Sequence, residues 1–393
     1  MRLMLFTDTL GDTNGVSRFI QNIGHESLRS GRDMLVATST RFEVPPEACF
    51  FNPPPAWAMR MPRYPQLDLV RPPKRAMLAR ADEFAPDVVH VSTPGPVGLL
   101  GRRYALRRGL PLAGVYHTDF PAYVETLAGG RAARGLAARF MAWFYRPFGL
   151  ILSRSEEYMR SLEALGLECR VMEKLAPGIA LEDFDASLRD PSTWDAHGLP
   201  PGSVRVLYVG RISKEKNLPM LVDAWPAIRE RAERGGVDAR LVVVGLGPYA
   251  GEMEDELAPH GAVFLGEKRG RELATLYASA DLFVFPSRTD TLGQVVLESQ
   301  SAGIPVVVGD EGGPKEVVDD GRTGLVLPAG DPGAWIEAIA RLCIDHDRRR
   351  AMGAAATPWS QQFSIAASFD RFWASHEGLL RPAVASAASS AAG

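Results

Sequence analysis

The sequence predicts an α/β protein of two Rossmann-like units, each built on a parallel sheet. Three observations predict it. Short strand-like apolar runs alternate with longer helical patterns, the form that βαβ units take. The alternation breaks at 177–202, a stretch rich in Pro, Gly and Asp without sustained periodicity, and then restarts. With 393 residues, 46% apolar and 23% charged, the chain can bury the cores of two or three domains.

In the first half, strands fit 3–7, 34–37, 88–91, 112–116 and 149–152, each followed by a turn or helix opening. In the second half they fit 204–209, 240–244, 262–265, 282–285, 305–308 and 324–327, with helices such as 218–229 and 272–278 between them. Two such units usually bind ligand in the crevice between them, because each sheet presents its strand C-termini there. The opening βα turn, 7–16, lacks the G-x-G-x-x-G fingerprint, which argues against an NAD enzyme.

Composition narrows the class. No apolar run approaches the roughly 20 residues that span a bilayer, and the apolar run at 3–6 is too short for the core of a signal peptide. Cys49, Cys169 and Cys343 are scattered and outside metal-ligand spacing, which suits a reducing cytoplasm. The net charge of −3 hides an asymmetry: residues 1–180 hold 23 Lys/Arg against 17 Asp/Glu, and the remainder holds 21 against 30. Much of the positive excess lies on helical apolar stretches: Arg102, Arg103, Arg107 and Arg108, then Arg131, Arg134, Arg139, Arg146 and Arg154 around Phe140, Trp143, Phe144 and Phe148. That pattern could rest on an anionic membrane surface, but charge runs of this kind more often form a solvated basic face over ordinary core aromatics. No nucleic-acid partner is expected.

The most informative stretch runs from Phe285-Pro286-Ser287 through Asp290-Thr291-Leu292-Gly293 to Glu298. Two carboxylates stand across a strand-to-loop-to-helix passage. If Gly293 opens the helix, its free N–H groups attract a phosphate, and Glu298, more than one turn inside, can accept hydrogen bonds from the vicinal hydroxyls of a ribose. The competing reading makes Glu298 a surface helix residue and Asp290 an N-terminal cap. A second element, Gly210-Arg211-Ile212-Ser213-Lys214-Glu215-Lys216, follows the first strand of the second half. Arg211 offers a planar fork and Lys216 a point charge, both suited to diphosphate oxygens; an exposed basic loop is the alternative. Two glycine-rich turns, at 245–248 and 309–316, permit close backbone approach to a ligand, as many βα turns do.

In this order the segments resemble the retaining glycosyltransferases of family four, over roughly residues 1–375. The resemblance includes Asn14-Gly15-Val16, Pro86-Asp87-Val88-Val89-His90, Tyr116-His117-Thr118-Asp119-Phe120, Arg211 with Glu215-Lys216, Phe285-Pro286-Ser287, and the acidic pair with Gly312-Gly313 beyond it. The family pattern is Glu, seven residues, Glu; here Asp290 takes the first place, as in bacterial members that glycosylate lipids. Asn217 stands where the family often has Gly, and Leu292 where it often has Phe.

The resemblance implies the GT-B fold, with an N-terminal acceptor domain over 1–185, a nucleotide-sugar domain over 186–365 and a helix at 366–381 packing back on the first domain; the final stretch, 382–393, is almost wholly Ala and Ser and is expected to be a disordered tail. It implies that Arg211 and Lys216 neutralise the diphosphate and Glu298 binds the ribose. Asp290 and the backbone of Thr291, Leu292 and Gly293 would hold the donor sugar and phosphate. Gly15 and Val16 would let the first loop approach the diphosphate, and His117 would contact the sugar near the reacting carbon; without the resemblance, His117 reads as a core histidine. His90 reads as structural.

The reaction implied is retaining transfer of a hexosyl group, mannose or glucose type, from a GDP- or UDP-sugar to a hydroxyl acceptor, a lipid or glycolipid. No separate cofactor is expected, and no metal, since Asp183-Phe184-Asp185 reads as helix capping. The setting implied is cytoplasmic, peripheral on the inner face of the membrane. Two other readings stand beside it: a sugar-nucleotide 2-epimerase of the same fold, which would need donor alone, and a non-catalytic nucleotide-sugar-binding protein.

Overall fold

A computed structural model of the chain describes residues 1–11, 15–61, 64–117, 131–153, 156–167, 171–290 and 292–381. Asn14, Thr118 to Phe120, Arg154, Cys169, Thr291 and the tail at 382–393 lie outside them. The chain divides into two compact units: Met1–Gly178 with the segment from Ile365 onward, and Ile179–Ser364. The division falls before residue 185 because Ile179 already donates to the Phe363 carbonyl at 2.9 Å and bridges to Ser364 within the second unit.

The first unit runs β1 (Leu3–Phe6), α1 (Gly15–Arg29), β2 (Met34–Ala37), β3 (Phe50–Phe51), β4 (Trp57–Met61), β5 (Tyr64–Arg71), α2 (Lys74–Phe84), β6 (Val88–Val91), α3 (Pro96–Arg108), β7 (Leu112–Tyr116), α4 (Arg131–Tyr145), β8 (Leu150–Ser153), α5 (Glu156–Glu163) and β9 (Val171–Lys174). Seven strands form one sheet in the order β3-β2-β1-β6-β7-β8-β9, every pair parallel. The central strands are buried along their whole length, so they read as apolar runs broken only by His90 in β6. Their side chains still alternate between faces: Leu3 and Leu5 join one core cluster, Met4 and Phe6 the other. The antiparallel hairpin β4–β5 stands apart from this sheet.

The second unit runs β10 (Val204–Val209), α6 (Leu218–Arg234), β11 (Ala239–Val244), α7 (Ala250–Leu257), β12 (Ala262–Phe264), α8 (Gly270–Ser279), β13 (Leu282–Phe285), α9 (Gln294–Ser301), β14 (Val306–Gly309), β15 (Gly324–Leu327), α10 (Pro332–Ile344) and α11 (His346–Ser360). Its parallel sheet has the order β12-β11-β10-β13-β14-β15. Helix α6 shows how the sequence builds the layer: Leu218, Leu221, Val222, Trp225, Ile228 and Ala232 recur at helical spacing and are all buried. Trp194, Trp225 and Trp335 are fully enclosed in one continuous core.

Helix α12 (Ile365–Gly378) returns to the first unit. Phe369, Phe372 and Trp373 enter the cluster that holds Phe19, Ile20 and Ile23 of α1. His376, one turn further on, is fully buried; its Nδ1 lies 2.6 Å from the Phe372 carbonyl and must donate to it, which leaves Nε2 to accept from His90 Nδ1 at 2.8 Å. Burial holds both imidazoles below their ordinary range, His376 down to about 4. His90 is thus part of the clasp that seats α12.

Candidate donor site at the strand ends of the second unit

Strand β10 pairs with β11 on one side and β13 on the other, so the strand order reverses beside β10. In open α/β sheets, ligands bind outside the strand C-termini at such a reversal. The loop after β10 carries Arg211 and Lys216, and the loop after β13 carries Asp290.

The β10 loop is braced by glycines. A Cβ on Gly245 would lie 1.9 Å from the Gly210 carbonyl oxygen, and one on Gly247 would lie 2.0 Å from that of Ile212. The close approach that the 245–248 turn permits is therefore to the neighbouring loop. Ile212 N–H donates to the Leu246 carbonyl at 2.9 Å and Tyr249 N–H to that of Ile212 at 3.1 Å, which zips the two loops together. The segment then makes one 3₁₀ turn, Lys214–Lys216, closed by Asn217 in the left-handed region at φ +57°. Asn tolerates that region better than most residues, which explains how it can stand where the family often has Gly.

The β13 loop is clasped in the same way. Gly312, at φ +75°, would place a Cβ 2.9 Å from both the Arg288 and Asp290 carbonyl oxygens, and Gly313 N–H donates to the Asp290 carbonyl at 2.8 Å. Gly293, at φ +74°, caps α9 and lies against Pro314, so the helix opens where the sequence places it. Leu292 is half-buried against the core. Thr291, assigned with Leu292 and Gly293 to the donor, lies outside the described residues.

These two loops bring Lys216 and Asp290 together. Lys216 Nζ donates to both Asp290 carboxylate oxygens at 2.9 Å, with the side chains 17% and 27% exposed. Arg211 stays exposed, its guanidinium 3.8 Å from the Glu215 carboxylate, while its carbonyl accepts from the Tyr208 hydroxyl at 2.9 Å. Burial and the nearby Asp290 charge raise the Tyr208 phenol. Lys214 turns away to Glu252 at 2.9 Å. The hydroxyls of Ser213 and Ser287, one on each loop, are buried without a partner among the described residues.

Glu298 is buried, 7% exposed, which removes the surface-helix reading. Tyr277 Oη donates to its Oε2 at 3.1 Å and Gln294 Nε2 to its Oε1 at 2.9 Å. Burial raises its carboxyl above the usual range, and the two hydrogen bonds oppose that rise. Sequence reasoning missed both partners. Gln294 stands at i−4 and was legible as a helical neighbour; Tyr277 arrives from another helix and leaves no local signal. Lys268 and Arg269, after β12, pair with Glu272 and Glu267, each at 2.6 Å.

In the first unit, His117 follows β7; its Nε2 lies 3.1 Å from Ser92 Oγ and its ring meets the edge of Phe19 at 6.1 Å. Gly15 opens α1 with no atom of the described residues within 4 Å of where a Cβ would sit, and Val16 packs against the core beside it. Asp8, in the preceding loop, accepts from Val97 N–H, Gly98 N–H and the Thr93 hydroxyl, which ties it to the start of α3. In the segment before β10, Asp185 accepts from Ser187 N–H and caps a 3₁₀ turn. Burial pushes the Cys49 and Cys343 thiols up to about 11 and about 12, which makes both poor nucleophiles.

Residues 13–183 match the family description Glycosyltransferase Family 4, and residues 203–345 match Glycosyl transferases group 1. The chain is 33% identical over 354 residues to a GDP-mannose-dependent alpha-mannosyltransferase of Mycobacterium tuberculosis, covering 87% of each chain. It is 28% identical to the sulfoquinovosyl transferase SQD2 of Arabidopsis thaliana, over 86% of this chain and 65% of that one. Among solved structures, HepE of Anabaena in complex with UDP shares the fold at a TM-score of 0.64 and 16% identity, over 96% of this chain and 100% of the other. On these grounds the chain belongs to the family 4, group 1 glycosyltransferases of GT-B fold, enzymes that move a sugar from a nucleotide-sugar donor.

Proposed function

We propose that the protein transfers a mannosyl or similar hexosyl group from GDP-mannose or a related donor to a hydroxyl of a lipid acceptor, with retention at the anomeric carbon and without a metal. The observation that carries this reading is the Lys216–Asp290 contact, which gathers a cation and a carboxylate from two loops 74 positions apart at the sheet's point of reversal. Lys216 and Arg211 neutralise the diphosphate as it leaves, which supplies the charge stabilisation that oxocarbenium-like departure needs. Asp290, with the backbone of Thr291, Leu292 and Gly293, holds the donor sugar and phosphate, and Glu298 holds the ribose. His117 contacts the sugar, and Gly15 and Val16 offer backbone to the diphosphate. The acceptor oxygen bonds to the anomeric carbon as the bond to the diphosphate breaks, and the leaving diphosphate takes the acceptor proton. The products are nucleoside diphosphate and glycoside.

The mannosyltransferase relative supports a GDP-linked donor. The lipid acceptor is supported by the outer face of α4. Leu136, 73% exposed, and Trp143, 50% exposed, lie at i and i+7 with the exposed Arg139 between them, while Ala137, Met141 and Phe144 face the core. The Arg102 guanidinium stacks on Trp143 at 4.2 Å. An apolar and cationic stripe of this kind suits peripheral contact with an anionic membrane. Among the described residues no helix is long and apolar enough to cross one.

A thermal-shift panel of GDP, UDP and ADP, with their sugars and with EDTA, tests the donor assignment. Stabilisation by GDP and GDP-mannose, unaffected by EDTA, is the expected result; stabilisation by none of them contradicts it. Sedimentation with phosphatidylglycerol vesicles tests the surface: the protein should co-sediment, and Trp143→Ala with Leu136→Ala should not.

A further inference from the structure

Both oxygens of Glu298 hold one partner each before any ligand arrives. Tyr277 sits on α8 with its ring fixed edge-on to Phe184 at 5.6 Å and against Phe283 at 5.7 Å, and it is fully buried. Its hydroxyl therefore meets Oε2 from a rigid position. Gln294 reaches Oε1 from one turn earlier on α9. An ionised carboxylate only accepts and offers about two lone-pair directions on each oxygen. One direction on each oxygen is filled, and one remains on each.

We infer that Tyr277 and Gln294 are positioning residues, fixing the Glu298 carboxylate so that its one open acceptor site on each oxygen takes the two vicinal hydroxyls of the nucleotide ribose. This rests on the reading of Glu298 as the ribose ligand. A buried phenol needs an acceptor, but a backbone carbonyl would serve. Here it is turned on an ionisable group whose burial favours protonation. A protonated Glu298 would present a donor and lose its match to a diol. The two hydrogen bonds favour the charged form, so orientation and ionisation are set by the same pair of contacts.

The test is calorimetric titration of the full chain with GDP, 2′-deoxy-GDP and 3′-deoxy-GDP. Each deoxy analogue should bind the wild type about tenfold more weakly than GDP, the loss expected for one hydrogen bond to a charged acceptor. In Tyr277→Phe that gap should narrow, because GDP binding weakens while binding of the deoxy analogues barely changes. The acid limb of GDP binding should also move to higher pH, which lost packing alone would not do. Gln294→Ala, at an exposed position, should narrow the same gap and remains informative if Tyr277→Phe fails to fold. A wild type that does not distinguish GDP from its deoxy analogues overturns the ribose reading itself. A wild type that distinguishes them, with both variants keeping the full gap and an unchanged pH profile, overturns the positioning role alone.

Discussion

Replacing Lys216 with alanine probes the proposed donor site most economically, because its expected costs to folding and to turnover differ in size. The ammonium lies 2.9 Å from both oxygens of Asp290, and both side chains are less than a third exposed. Its loss leaves a carboxylate that water can still reach, so the cost to folding should resemble that of a partly exposed pair, about 1 kcal/mol. Turnover should suffer far more. A unit charge about 4 Å from a diphosphate oxygen, at an effective dielectric of about 20, interacts by about 4 kcal/mol. Removing one preorganised electrostatic contact to developing charge typically costs about 10²- to 10³-fold in rate. We therefore expect kcat/KM to fall by about two to three orders of magnitude, with urea unfolding shifted by about 1 kcal/mol. Initial rates of nucleoside-diphosphate release, read beside the unfolding curve, check it. Unchanged kcat/KM in a folded variant would refute the role of Lys216, and a rate loss matched by collapse of the unfolding midpoint would make that role structural.

Other consequences follow from the packing and the buried histidines. Gly245→Ala puts a methyl group 1.9 Å from the Gly210 carbonyl oxygen at φ +141°, so it should destabilise by about 3 kcal/mol or more in chemical denaturation. Gly251→Ala, inside α7 with no atom of the described residues within 4 Å of its Cβ position, should be stabilising by about 0.5–1 kcal/mol. Equal effects of the two would contradict the bracing of the β10 loop. The His376 imidazole, lowered to about 4 in the folded chain against about 6.5 unfolded, contributes stability that is complete above about pH 6.5. That stability is lost as the pH falls toward 4, because the unfolded chain then binds the extra proton. By pH 5 the loss should be about 2 kcal/mol, visible as a difference in urea unfolding between pH 7.5 and pH 5. His376→Asn should reduce that difference, leaving the part that the buried His90 contributes; an equal pH dependence in wild type and variant would count against the clasp.

How much of this was legible in the sequence depended on how local its cause was. Strands such as 34–37 and 282–285 were plain because they are buried on both faces and read as unbroken apolar runs, and 88–91 and 204–209 because a single polar residue, His90 or Arg205, interrupts an otherwise apolar run. Strand β9 was not, because it lies at the sheet edge and its sequence, Val-Met-Glu-Lys, is partly exposed. The hairpin β4–β5 carries Arg, Pro and Asp within its strands and gives no clean alternation. At the site, the opening of α9 at Gly293 followed from a glycine and a strand end. The Lys216–Asp290 contact joins loops 74 positions apart, and no spacing rule reaches that far. The glycines at 245, 247 and 312 were visible as turns; their partner, a neighbouring loop in place of a ligand, was set by tertiary packing.

Sugar transfer from a nucleotide donor is the activity of the family, and we propose that Arg211, Lys216, Asp290 and Glu298 hold that donor here. The most direct test incubates the full chain with GDP-mannose and lipid vesicles carrying hydroxyl acceptors, and follows GDP release and mannosylated lipid together. The two should appear in equal amounts, with an α-linked product and no reaction of the donor when acceptor is absent. Conversion of the donor to an epimer without acceptor, or binding of the donor with no GDP released to any acceptor or donor sugar tried, would contradict that expectation.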